Sequence, residues 1–289
     1  MTDPRVTLNA ETQLYGIFGN PVRDSLSPLI HNALFKKLGM NAVYLAFPIE
    51  KESLGLAFEA IRSLGIRGVN ITIPFKEMAI NLVDEIPEDA DRCVGAINTV
   101  VNRNGRLYGF NTDVPGFLAA LKNELQFNPA AKNILVLGAG GAARAAVFAL
   151  AHAGAESVWI YNRTPGRAAG LQSYLSSFFS ETEIESLESL DTVRRERIDL
   201  VVNATSCGMK TEDPIAFDLE LLREKAFVYD LIYAPGQTRL LKMAESLGWP
   251  RANGLGMLAA QAAISFQHWT GQAKGVHETM LEVLKTCRL

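Results

Sequence analysis

The chain has 289 residues, 48% of them hydrophobic and 20% charged, with a formal net charge of -3. That is enough apolar material for two domains of ordinary size, with no basic footprint for nucleic acid. The opening Met1-Thr-Asp-Pro-Arg lacks the basic-then-apolar order of a secretory signal, and no charge-free apolar run is long enough to span a bilayer, so a cytoplasmic protein without membrane or nucleic-acid partners is expected. Cys93, Cys207 and Cys287 are odd in number, far apart and without metal-ligand spacing. They are expected to be small buried apolar residues rather than parts of a disulfide framework or zinc site, and no metal is expected. No heptad run is visible, which leaves monomer and homodimer both open.

In chain order, apolar strand patterns alternate with amphipathic helix patterns: Leu14–Phe18, a helix after Ser27-Pro28, Val43–Ile49, a helix over Leu54–Leu64, then Gly68–Ile73. This punctuation implies βαβ units and a parallel sheet. Ala96–Val101 and Leu107–Phe110 flank Asn104-Gly105, a dipeptide that favours a type I′ turn, so a hairpin should form an antiparallel edge. A helix over Val114–Leu125 is the crossover to a second series.

That series opens with Asn133-Ile-Leu-Val-Leu-Gly-Ala-Gly-Gly-Ala-Ala-Arg, a buried strand entering a glycine turn and an alanine-rich helix. Gly138 makes the tight turn, Gly140 lets backbone approach a pyrophosphate, Ala143 fills the third small position, and the helix N-terminus faces the negative charge. The next strand, Ser157–Tyr161, ends not in an acid but in Asn162-Arg163-Thr164, with Arg167 one turn on. A cation at that corner suits a 2′-phosphate and favours NADP over NAD. Strands over Ile184–Leu187, Leu200–Ala204 and Phe227–Ile232 follow, and the Ser/Glu-rich stretch Ser173–Glu188 is read as solvated surface.

After a return crossover near Gly254, helices over Met257–Thr270 and Val276–Lys285 should pack back on the first domain. The fold class is α/β with two domains: a mostly parallel first domain over 1–113 completed by 255–289, and a Rossmann-type domain over 114–254. The ligand cleft is expected between them.

Several polar groups fall at strand ends and helix starts. Ser27 reads as an N-cap ahead of Pro28, which leaves Ser25 free to help form a carboxylate receptor with the helix N–H groups. In Asn70-Ile-Thr-Ile-Pro-Phe-Lys76, Ile71 and Ile73 should share one face and Asn70 and Thr72 the other, with Lys76 emerging at the sheet's carboxyl edge. Gly95-Ala-Ile-Asn-Thr99 and Gly109-Phe-Asn-Thr-Asp113 bracket the hairpin, placing Asn98 and Asp113 near each other, and Asp113 could pair with Lys76. Gln261 sits on the otherwise apolar helix stripe of Leu258, Ala262, Ser265 and Trp269, where a buried amide needs partners. Asn203-Ala-Thr-Ser206 ends a second-domain strand, so Thr205 should face the nucleotide.

Taken together, Gly19-Asn-Pro-Val, Ser25-Leu-Ser-Pro, Asn70 to Lys76, Gly95 to Thr99, Asn111-Thr-Asp113, Gly138-Ala-Gly-Gly-Ala, Asn162-Arg-Thr, Asn203-Ala-Thr-Ser, Tyr229-Asp-Leu-Ile-Tyr233 and Gly254-Leu-Gly-Met-Leu-Ala-Ala-Gln261 resemble the shikimate dehydrogenase family across essentially the whole chain. The resemblance implies reversible reduction of 3-dehydroshikimate to shikimate by NADPH. It puts Ser25 and Ser27 on the substrate carboxylate and Asn70, Thr72, Asn98, Asp113 and Gln261 around its hydroxyls. Tyr233 also falls on the substrate side, and Lys76 and Asp113 form the catalytic pair. Gly138, Ala139, Gly140, Gly141, Ala142, Asn162, Arg163, Thr164, Arg167, Thr205 and Gly254 fall on the cofactor side. Departures are few: Ile71 replaces a common valine, and Ala234 stands where Asn or Ser often precedes proline. Two other readings are a quinate/shikimate dehydrogenase using NAD(P) and a non-catalytic NADPH-binding regulator on the same scaffold. The Asn162-Arg163 corner argues against the first, and retention of Lys76 and Asp113 against the second.

Overall fold

The structure is a computed structural model that describes residues 8–210, 212–234 and 236–286. Residues 1–7 and 287–289 of the expected domain segments, Cys287 among them, lie outside the described residues. The chain divides into two compact units, one running to Thr112 and resuming at Ala259, the other spanning Asp113–Leu258.

The first unit holds a five-stranded sheet of β1 (Gln13–Gly19), β2 (Ala42–Pro48), β3 (Gly68–Ile71), β4 (Thr99–Arg103) and β5 (Arg106–Phe110), in the order β2-β1-β3-β4-β5. The first three are parallel, while β4 and β5 run antiparallel. Asn104 and Gly105 both have positive φ, 55° and 86°, as a type I′ turn requires. Helices α1 (Ser27–Lys37), α2 (Leu54–Ser63) and α3 (Asp89–Val94) connect or follow these strands. Leu54, Phe58 and Ile61 of α2 lie at helical spacing and pack with Phe18, Val69, Ile71, Phe75 and Val100 as one core.

The second unit holds β6 (Asn133–Leu137), β7 (Ser157–Tyr161), β8 (Glu183–Leu187), β9 (Leu200–Asn203), β10 (Phe227–Asp230) and β11 (Arg251–Asn253). Their order is β11-β10-β9-β6-β7-β8, all parallel, with α4 (Asp113–Leu125), α5 (Gly141–His152), α6 (Pro165–Ser176) and α7 (Arg239–Ser246) between or before them. Numbered within the unit, that is the doubly wound order 3-2-1-4-5-6, whose direction reverses between β6 and β9. The central strands β6 and β9 are apolar almost throughout because both faces are covered.

Two expectations need correction, and one strand was not expected. β11 escapes the apolar pattern because Arg251-Ala-Asn253 is a three-residue edge strand that is only partly buried. Ser173–Glu188 is not wholly solvated, since Leu175, Thr182, Ile184 and Leu187 are buried and exposed residues alternate with them along β8. Cys93 and Cys207 are free but only half-buried, and the Cys207 thiol donates to Pro214 O at 3.2 Å. Among the described residues, no helix is long and apolar enough to cross a membrane, and no group of three or more His, Cys, Asp or Glu is placed to hold a metal ion.

α8 (Leu255–Thr270), in its part from Ala259, and α9 (Val276–Thr286) belong to the first unit. α9 packs on α1, and the Trp269 indole of α8 donates to Val100 O at 3.0 Å. His31 of α1 is fully buried among Phe35, Phe266 and Trp269 and stacks on Tyr44 at 4.4 Å with 10° between the rings. Among the described residues, neither imidazole nitrogen has a hydrogen-bond partner. Burial pushes its pKa down to about 3.

The unfolded chain therefore binds a proton at His31 below about pH 6.5, while the folded chain resists it until about pH 3. The resulting stability is fully present above pH 6.5 and is lost as pH falls through that window. His31→Phe, which keeps an aromatic ring, is expected to flatten the acid limb of a denaturation series at pH 7, 6 and 5, by up to about 1.4 kcal/mol per pH unit. Parallel curves for the two proteins would show that His31 does not carry this dependence.

Candidate active site

The first unit concentrates polar side chains where β3 ends. Asn70 pairs in register with Ile17 on one side and Thr99 on the other, which places it mid-sheet, and it is 5% exposed. Its Oδ1 accepts the Tyr44 hydroxyl at 2.7 Å, while Nδ2 lies within hydrogen-bond reach of Ser265 Oγ at 3.0 Å, Asn98 O at 3.1 Å and Thr99 Oγ1 at 3.2 Å. Ser265 Oγ also meets Thr99 Oγ1 at 2.7 Å and Thr112 Oγ1 at 3.1 Å. Asn98 completes the cluster: its Oδ1 accepts Thr112 N at 2.7 Å, and its Nδ2 donates to Thr112 Oγ1 at 2.8 Å and Gln261 Oε1 at 3.2 Å. Asn70, Asn98 and Gln261, singled out separately in the sequence, thus belong to one buried network.

The remaining first-unit candidates lie around it. β3 stops at Ile71, and Thr72 N donates to Phe18 O at 2.9 Å before the chain turns, with Phe75 N donating to Thr72 O at 2.9 Å. Ile73 therefore does not share the face of Ile71: the former is 56% exposed, the latter 1%. Alternation fails because the strand has already ended, and Thr72 is outside the buried network. Lys76 follows the turn, half-buried, with its carbonyl accepting Ile97 N at 3.0 Å, so its backbone is tied to the Ala96–Asn98 segment.

At the start of α1 the assigned roles of the two serines change. The N-cap is Leu26, Ser27 is the first helical residue and is buried, and Pro28 occupies the second position. Ser27 N donates to Ser25 Oγ at 3.3 Å. Ser27 is therefore not the cap, and it is the Ser25 hydroxyl that serves a helix N–H group.

In the second unit, Gly138 has φ 116°, its N–H donates to Tyr161 O at 2.8 Å, and a Cβ there would lie 2.9 Å from Ala204 O. Only glycine suits this turn. Gly140 is extended and caps α5, which begins at Gly141, and a Cβ on Gly140 would meet nothing within 4 Å. Ala139, Gly140, Gly141 and Ala142 are partly exposed, whereas Ala143 is completely buried where helix meets sheet. The α5 N-terminus thus opens beside the β6/β9 reversal, where parallel sheets bind ligands.

At the end of β7, Asn162 Nδ2 donates to Thr164 O at 2.9 Å, and Thr164 precedes α6. Arg163, Thr164 and Arg167 are exposed. The charge of Arg163 is felt at Cys207, whose thiol is pushed up by burial first and then by Asp213 and Asp230, against the opposing effect of Arg163 and Arg239. Thr205 follows β9 with its hydroxyl donating to Asn203 Oδ1 at 2.7 Å. Gly254 follows β11, and its backbone approaches Leu231 O so closely that no Cβ fits. Tyr233 lies half-buried beyond β10. Asp113 is the first residue of the second unit and sits, 3% exposed, in the first turn of α4, where a helix N-terminus favours a carboxylate.

The sequence matches three family models: the shikimate dehydrogenase substrate binding domain over residues 17–100, shikimate / quinate 5-dehydrogenase over 120–212, and the shikimate 5'-dehydrogenase C-terminal domain over 254–275. A relative from Caldanaerobacter subterraneus subsp. tengcongensis, named shikimate dehydrogenase (NADP(+)), is 44% identical over 269 residues, covering 92% of this chain and 94% of its own. This chain belongs to the shikimate dehydrogenase family. The crystal structure of the Aquifex aeolicus member aligns with a TM-score of 0.85 at 42% identity, over 95% of this chain and 99% of that one. The Thermus thermophilus member, solved in complex with NADP(H) and shikimate, aligns with a TM-score of 0.82 at 38% identity, over 94% and 98% of the two chains.

Within this member of the family, four network residues carried no assigned role in the sequence: Tyr44, Thr99, Thr112 and Ser265. Ser265 had the same signal as Gln261, a polar residue on an apolar helix stripe, but a single hydroxyl can bond to its own helix, as it does to Gln261 O at 3.0 Å. Tyr44 had none, because an aromatic residue in a strand reads as core.

Ser265 is the junction through which α8 holds Asn70 and the two threonines. Ser265→Ala leaves buried donors unmatched and is expected to lower stability by about 1–3 kcal/mol. Asn70 then keeps only its bonds to Tyr44, Asn98 O and Thr99 Oγ1; if it serves substrate, the Michaelis constant for shikimate should rise several-fold with that for NADP+ unchanged. A stability loss with both constants unmoved would make the junction structural only.

Proposed function

We propose that this protein catalyses the reversible NADPH-dependent reduction of 3-dehydroshikimate to shikimate, a step in the formation of chorismate and the aromatic amino acids. The observation that carries this reading is the buried network that orients Asn70, Asn98 and Gln261 together, beside the backbone of Lys76. Amides and hydroxyls held in one orientation suit a small ring bearing several hydroxyl groups, since each can present a donor or acceptor without first losing rotamer freedom.

In this reading, Ser25 and Ser27 at the start of α1 take the substrate carboxylate. Asn70, Thr72, Asn98 and Gln261 take its hydroxyls, with Tyr233 contributing on the same side. The first unit is then the substrate domain and the second the dinucleotide domain. Gly138 to Ala142 and the α5 N-terminus cradle the pyrophosphate. Asn162, Arg163, Thr164 and Arg167 hold the 2′-phosphate, and Thr205 and Gly254 border the remainder. The open space over Gly140 and the two exposed guanidinium groups fit NADP(H), which in its reduced form, NADPH, would supply the hydride.

The chain's own contribution is to fix the ketone and manage charge. Hydride addition to the carbonyl carbon leaves negative charge on its oxygen, and a protonated Lys76 stabilises that charge and supplies or relays the proton that yields the alcohol. Asp113 is its proposed partner in the catalytic pair. The cytoplasm, where NADPH is available for biosynthesis, is the compartment consistent with this activity.

Lys76→Ala is expected to lower turnover by about 10²-fold or more, with shikimate still binding through its other anchors. Asp113→Asn should act in the same direction, and the double variant should be little worse than the poorer single one, since groups acting as a unit are non-additive. Multiplicative losses in steady-state kinetics would separate the two roles.

Arg163→Asp is expected to cut the ratio of NADP to NAD specificity constants by about 10–100-fold, the value of a charge-assisted phosphate contact. An unchanged ratio would remove this corner from cofactor selection. Efficient oxidation of quinate with NAD by the unmodified protein would overturn the assignment itself.

A further inference from the structure

One carboxylate in the second unit is buried without being an expected ligand contact. β10 ends at Asp230, which is 0% exposed. In register across the sheet lie Leu137 at the end of β6, Asn203 at the end of β9, Asp230 at the end of β10 and Asn253 at the end of β11. This row borders the carboxyl edge, one residue before the glycine turn at Gly138.

Every group bonded to the Asp230 carboxylate is a donor. Oδ1 accepts Asn203 Nδ2 at 2.9 Å and Ile232 N at 3.1 Å, and Oδ2 accepts the Thr238 hydroxyl at 2.6 Å. Each partner commands a separate segment. Asn203 Oδ1 receives both Thr205 N and Thr205 Oγ1, at 3.1 and 2.7 Å, and its Nδ2 reaches Cys207 O at 3.2 Å. The Asn203 amide therefore sets the loop that carries Thr205 and leads past Ala204, against which Gly138 is packed. Ile232 N–H fixes the turn toward Tyr233, and Gly254 N returns to Ile232 O at 3.3 Å. Thr238 caps α7 by accepting Leu241 N at 3.3 Å.

We propose that Asp230 is a positioning residue for dinucleotide binding: by orienting Asn203 and the 231–234 turn at once, its carboxylate holds the Thr205 loop against the glycine turn in the shape the dinucleotide needs. Removing the acceptor releases the Asn203 side chain to rotate, and Thr205 loses both of its bonds to Oδ1. Burial pushes the Asp230 carboxyl up to about 6, so the site discourages a bare carboxylate, and the three donors offset that penalty. An aspartate that served only to fill space there would be replaced at no loss by an apolar side chain.

An amide at this position keeps the main features. Asp230→Asn retains an oxygen for Asn203 and Ile232 and turns its NH2 toward Thr238, whose hydroxyl can rotate to accept. Asp230→Ala retains none of them.

This inference rests on the NADP reading above, and the experiment separates the two. NADPH binding is followed by nicotinamide fluorescence, alongside steady-state kinetics with shikimate and NADP+, for the unmodified protein, Asp230→Ala, Asp230→Asn and Thr238→Val. No NADPH binding to the unmodified protein would defeat the NADP reading itself. With binding established, Asp230→Ala is expected to weaken NADPH and raise the NADP+ Michaelis constant by about tenfold or more, against about threefold or less for shikimate. Asp230→Asn should stay within about threefold of the unmodified protein on both, and Thr238→Val, which removes one bond of three, should fall between them. If Asp230→Ala does not fold, Asp230→Asn and Thr238→Val decide by the same ordering. A lowered melting temperature with unchanged cofactor constants, or equal losses for both ligands, would overturn the proposal.

Discussion

The requirement that a buried polar group be hydrogen-bonded governs both halves of this molecule. Parallel strands covered on both faces leave no water to satisfy a polar side chain at their carboxyl ends, so each such residue is held in one geometry by its neighbours. In the first unit Asn70 meets this condition through Tyr44, Ser265 and the Asn98–Thr99 segment. In the second, Asn203 and Asp230 meet it through one another and through Thr205, Ile232 and Thr238. The two sheets differ in topology, yet each uses a buried amide at a strand end to convert the rigidity of the sheet into fixed positions at its edge.

The surrounding apolar shell strengthens these networks. Tyr44, which presents its hydroxyl to Asn70, is stacked on a His31 ring kept neutral by its own burial. Low local dielectric makes each satisfied bond stronger and each broken one more costly.

Much of this was legible in the sequence because the signals are periodic or sterically absolute. Apolar runs between helix and turn signals marked ten of the strands found, the Asn104-Gly105 turn has both residues at positive φ, and Gly138 cannot be replaced without a clash. Asn70, Asn98 and Gln261 stood out as polar residues in apolar runs. Less visible were effects of one side chain upon another. The three-residue β11 has no period to detect, and the Ser25–Ser27 exchange depends on where the first helical turn closes, a difference of one residue that both serines satisfy equally on paper. Tyr44 and Thr112 read as ordinary strand and turn residues until the fold brings Asn70 and Asn98 beside them.

A chain built this way needs little rearrangement of its strand-end amides. Asn98 uses both ends of its amide on Thr112 and Gln261, so its orientation does not depend on an arriving ligand. In the proposed reading, a polar ring meets groups already aimed, so most of the ordering entropy has been spent in folding rather than in binding. The corresponding stability cost falls on a well-packed core, where Asn70 is flanked by strands whose apolar residues are almost completely removed from solvent. Under the proposed function, folding free energy and ligand affinity are linked through the same side chains: a substitution that loosens a strand-end amide should act on both, whereas one on the solvated corner at Arg163 should act on recognition alone.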